Sequence, residues 1–138
     1  MDAKCVWKPD PTMGTRQLRT YTPLWAMMPH DASGTVLGYD AIAETVAAAG
    51  YDGMAIDLGA GDVAQAHAVR PHMERNGLTP LIVAFPRTVE SLRETLIMAK
   101  DFGAPFVDVI GQVMPLSVDG MIPVIREWIE MADQVGMP

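Results

Sequence analysis

The feature that most restricts what this chain can fold into is a short unit that recurs along it: an amphipathic stretch, a glycine, then an apolar run. It is clearest in Ala99-Lys100-Asp101-Phe102-Gly103-Ala104-Pro105-Phe106-Val107-Asp108-Val109-Ile110-Gly111. Glycine can take the left-handed conformation that ends a helix, because it has no Cβ to clash. The same order appears around Gly50, from Ala47 to Leu58, and around Gly77, from Met73 to Phe85. A fourth copy starts at Met131-Ala132-Asp133-Gln134-Val135-Gly136-Met137-Pro138.

Working outward from these glycines places the elements. Residues 1–18 are polar, carry Pro9, Pro11 and Gly14, and read as an N-terminal tail, with residues 19–138 as the folded domain. Arg19 to Met28 is the first expected strand, and Pro23 within it suits a sheet edge, since proline cannot donate to a ladder. Pro29 to Gly38 is rich in turn formers. Tyr39, Ile42, Val46 and Ala49 fall on one face of a helix that Gly50 ends. Gly53 to Leu58 is the second strand, and Asp62 a good N-cap for a helix over Val63 to Asn76. That helix buries Val63, Ala66 and Met73, and at Pro71 it is expected either to bend or to give way, after a short turn, to a second helix with Pro71 near its start. Leu78 to Phe85 is the third strand. Thr88 is expected to cap a helix with Val89, Leu92, Leu96 and Ala99 inward, and Phe106 to Gly111 is the fourth strand. The last helix runs from about Asp119 to Val135, with Ile122, Ile125, Ile129 and Ala132 inward and Trp128 beside them. Pro123 is expected in its first turn, where amide donors lack partners anyway.

Strand then helix, four times, at spacings of about 26 to 32 residues, is the pattern of successive βα units. Parallel strands need such crossovers, and near-continuous apolar strands suit a sheet covered on both faces. The class is α/β, and the residues leave two architectures open: a doubly wound sheet, or part of a (β/α)8 barrel.

Charge and composition narrow the partners. The net charge of −7, with ten scattered basic residues, argues against a nucleic-acid backbone. The single cysteine, Cys5, permits no internal disulfide. No apolar run is long enough to span a bilayer, and the N-terminal stretch lacks an apolar signal core. A cytoplasmic protein with no membrane partner is expected.

In order and spacing, several pieces resemble the sugar phosphate isomerase/epimerase family, the xylose isomerase-like TIM barrels. They are Ala49 to Gly53 leading into the second strand, Asn76-Gly77-Leu78 before the third, Ala99 to Gly111 around the fourth, and Ala132 to Gly136. The resemblance covers about Tyr39 to Pro138 and implies a parallel (βα)4 half of a TIM (β/α)8 barrel, strand order 1-2-3-4. It implies the N-terminal half of a metal-dependent sugar or sugar phosphate isomerase or epimerase, inactive by itself. Family members hold a divalent metal (Mn, Mg, Zn or Co) through carboxylates and a histidine on strands five to eight, so this chain is expected to carry no metal-ligand set. Where the family often has a glutamate on strand two, this sequence has Ala55, with Asp57 two residues on and on the same side of the strand.

Barrel sites lie at the C-terminal ends of strands. The candidate substrate-binding residues there are Trp25, for stacking on a sugar face, His30, Asp57 and Gln112, with Phe85 and Arg87 after the third strand. Asp108, mid-strand, reads first as a structural hydrogen-bonding residue. His67 and His72 stand about 140° apart around a helix and cannot pair on a metal. The Gly59-Ala60-Gly61 loop leads into a helix but lacks the rest of any phosphate-binding motif. Two other readings remain open: a half-barrel whose bare strand edges pair with a second copy, and a non-catalytic doubly wound binding domain.

Overall fold

The computed structural model describes residues 18–27, 35–59 and 61–137, so the tail and His30 lie outside the described residues. Four strands form one parallel sheet in the order β1-β2-β3-β4: β1 (Tyr21–Pro23), β2 (Gly53–Asp57), β3 (Thr79–Ala84) and β4 (Val107–Val109). Sequential order is what right-handed crossovers give when each unit is laid beside the last. It removes the doubly wound alternative, whose strand order reverses at a switch point. The helices are α1 (Leu24–Met27), α2 (Tyr39–Ala48), α3 (Val63–Arg75), α4 (Leu92–Asp101) and α5 (Val118–Val135).

Side-chain alternation divides the sheet into two unlike faces. Met54, Ile56, Ile82 and Ala84 point to the helices and are buried with Ile42, Val46, Val69, Leu92 and Leu96. Val107 and Val109 continue that face at the edge, partly buried. The opposite face carries Pro23, Leu81 and Val83, which are only half buried, and the exposed Asp108. One face is packed against the helices; the other is partly covered, with Gly53 and Ala55 buried on it and Asp108 exposed.

Four helix ends share one hydrogen-bonding pattern. Gly50, Gly77, Gly103 and Gly136 have φ of 83°, 67°, 71° and 74°. The residue after each donates back five positions: Tyr51 to Val46, Leu78 to Met73, Ala104 to Ala99, and Met137 to Ala132. This is the Schellman arrangement, which uses carbonyls that helix ends leave orphaned. After the first three, the chain enters the next parallel strand.

Several local expectations are corrected. The first strand is three residues, not ten, because Pro23 ends it and Leu24 to Met27 turn into a short helix. β4 likewise keeps only the middle of Phe106 to Gly111. Val63 is 50% exposed, at the first residue of α3, while Ala66, Val69 and Met73 are buried. At Pro71 the single-helix reading stands, since α3 runs through it as one element. The fourth helix starts at Leu92, after Thr88 and Ser91 exchange backbone-to-hydroxyl hydrogen bonds in a preceding turn. Pro123 is the sixth residue of α5, beyond the first turn, so its missing amide forfeits a bond to Asp119. In α5 the buried side chains are Trp128 and Met131, whereas Ile122, Ile125 and Ile129 are 43%, 46% and 57% exposed. The isoleucine row is turned away from the packed core.

Asp62 does cap α3, accepting from the Gln65 amide at 2.7 Å. Asp62→Ala is expected to cost about 1 kcal/mol, read as a lower urea midpoint with an unchanged slope. Between α3 and α4, Arg70 bonds Glu74 at 2.8 Å and Asp101 at 3.3 Å, with its guanidinium 4.8 Å from the Phe102 ring centre. The Glu74 hydrogen bond, foremost, raises the Arg70 pKa from its ordinary value. No helix among the described residues is long and apolar enough to cross a membrane.

Candidate functional site

The partly covered face of the sheet is built in rows, because parallel strands in register present facing residues on one side. The lowest row is Tyr21, Gly53 and Thr79, and above it lie Pro23, Ala55 and Leu81. The next row is Asp57, Val83 and Asp108. The floor is closed by an aromatic pair: the Tyr21 ring lies across Gly53 and meets Phe106 edge-on, with centroids 6.4 Å apart. A Cβ on Gly53 would fall 2.6 Å from the Tyr21 ring. Glycine here is the condition for the ring to cross the sheet.

Asp57 and Asp108 thus share one row and one face, two strands apart. Two inter-strand spacings put their backbones about 10 Å from each other. Asp57 is the last residue of β2. Its Oδ1 accepts from the Gly59 amide at 2.8 Å, and the Gly61 amide bonds its carbonyl at 2.8 Å. The turn after β2 therefore fixes the carboxylate. Phe85 follows β3 and lies against Gly59, where a Cβ would come within 2.8 Å of its ring. Asp108 is exposed, and its carboxylate takes no hydrogen bond from a described residue, while its backbone pairs with β3. The Val-Asp-Val alternation carried the signal, since both valines face the helices.

The other expected residues are placed less closely. Trp25 is on α1, 56% exposed, after the C-terminal end of β1. Gln112 is exposed beyond β4, in a segment tied to the loop after β3 by its amide bond to the Pro86 carbonyl at 2.9 Å. Arg87 is exposed in that same loop after β3. The structure thus unites Asp57 with Asp108, and sets Trp25 and Gln112 at the rim.

Among the described residues, no group of three or more His, Cys, Asp or Glu side chains could hold an ion. His67 packs edge-on against Phe102, 5.0 Å between centroids, and His72 contacts Arg75 at 2.8 Å, so neither histidine is near the row.

No protein-family model matches the chain, and no curated protein matches it. Among solved structures it is similar to the N-acetylneuraminate lyase of Proteus mirabilis, at 20% sequence identity and a TM-score of 0.56. The superposition covers 89% of this chain and 49% of the lyase, so the chain spans about half of that protein's length. The lyase is a TIM barrel, and the likeness bears on the fold and not on the family. Four sequential parallel βα units over half of such a protein make this chain a (βα)4 half of a TIM barrel.

Proposed function

We propose that this half supplies part of the catalytic face of a barrel enzyme that moves a proton beside the carbonyl of a sugar or sugar phosphate, as an isomerase or epimerase. The observation that supports it is the row holding Asp57 and Asp108 on the barrel-facing side of the sheet, toward the C-terminal ends of the strands. Carboxylates there can serve as acid and base in such a transfer. Gln112 can bond sugar hydroxyls, and Trp25 offers an aromatic face at the rim. The remaining ligands of any divalent ion would come from the half that completes the barrel.

Solvent-deuterium exchange into the carbon beside the carbonyl, followed by NMR on aldose and ketose phosphates, tests the reading in the closed barrel. Asp57→Asn and Asp108→Asn are each expected to slow exchange about 100-fold with an unchanged circular dichroism spectrum. The open half is expected to give no turnover, with or without Mn²⁺. Exchange that survives both substitutions at full rate would sink the assignment.

A further inference from the structure

We propose that a second copy of this chain closes the barrel, the β4 edge of each copy lying parallel against the β1 edge of the other; the inference rests on the half-barrel reading above. Ile110 donates to Ala84 on β3, so by strand alternation Val107 and Val109 turn their backbone groups to the outer edge. Next to that edge is a groove of about 580 Å³, lined by Val107, Val109, Leu116, Ile125, Trp128 and Ile129. The exposed row of α5 borders it. A groove between an edge strand and an overhanging helix has the shape left for one more strand.

Geometry selects which strand. Pairing β4 with the β4 of another copy would bring two α5 helices over one seam. Strands pair at about 4.8 Å, whereas helices need 8 to 10 Å. Among the described residues β1 has no such overhang, since α2 packs inward over β2 and α3. Thr20 accepts from the Asp52 and Gly53 amides, so Tyr21 and Pro23 face outward; Pro23 withholds its donor, and the Tyr21 amide and carbonyl remain. The size also fits. Most of this chain superposes on 49% of a TIM barrel, which leaves room for a second unit of the same length. Two such halves, rotated about the barrel axis, close both seams at once and leave no edge. Closure sets the Asp57–Asp108 rows of both copies around one axis, so the site is complete only in the pair.

Sedimentation equilibrium of the 138-residue protein tests this directly. The expected species is a 30 kDa dimer, twice the 15.0 kDa chain. Ile125→Glu and Ile129→Glu replace side chains that are 46% and 57% exposed within one copy, so each should fold. Each is expected to raise the dissociation constant about thirtyfold or more with an unchanged circular dichroism spectrum. A 15 kDa monomer at high concentration overturns the proposal, and so does a dimer indifferent to both substitutions. A monomer that gains exchange activity only with a different half-barrel overturns self-closure and leaves the isomerase reading standing. A dimer with no exchange does the reverse.

Discussion

Gly53→Val is expected to leave no folded protein. Gly53 opens β2 in the middle of the sheet, paired with Tyr21 on one side and Thr79 on the other. A Cβ there would lie 2.0 Å from the Thr79 carbonyl oxygen and 2.6 and 2.7 Å from two Tyr21 ring carbons. The ring has rotamers to move through, but the oxygen is backbone inside the β2–β3 pairing and cannot retreat without parting the strands. Overpacking usually costs about 1 to 3 kcal/mol when side chains can give way. With backbone as the obstacle, Gly53→Ala is expected at or above the top of that range, and valine adds two more methyl groups. Urea denaturation followed by circular dichroism reads the alanine variant. An alanine variant as stable as the parent would show that the Tyr21 ring and the strand both shift freely.

Ile82→Ala is the second large effect. Ile82 is fully buried on the helix-facing side of β3, between Ile56 and Val107. Truncation loses the transfer free energy of three carbons and leaves a hole in a close-packed layer. The expected cost is about 2 to 5 kcal/mol, a large part of a typical domain's 5 to 15 kcal/mol. In a domain of this size that corresponds to a fall in Tm of roughly 6 to 20 °C. Ile97→Ala is the control: Ile97 is 53% exposed on α4, and the change is expected to stay within about 0.5 kcal/mol. Calorimetry showing equal losses for the two would contradict the burial that separates Ile82 in the core from Ile97 on the outer side of α4.

Where the sequence was readable, the information was local. The glycines at 50, 77, 103 and 136 mark the ends of four of the five helices, α2 to α5, because a positive φ is chemistry written in one residue. From those stops the element order and parallel class followed. Strand lengths did not, since β1 and β4 end where partners and proline stop pairing, which is a property of the sheet. The α5 stripe was misjudged for the same reason. Ile122, Ile125 and Ile129 have the spacing of a buried face, and periodicity cannot name the surface that a face will meet. Asp57 could be picked out as a charge in an apolar strand. Asp108 could not be joined to it until the register placed both opposite Val83.

The repeated glycine cap has a consequence for how the polypeptide matures. Each of these four helices terminates through bonds to residues at most five positions back, so its end needs nothing made later. As the chain leaves the ribosome, every new strand can be laid against one already in place. Synthesis order and assembly order then coincide, and a pause after any of these glycines would strand a nascent intermediate with two raw margins and no misplaced segment.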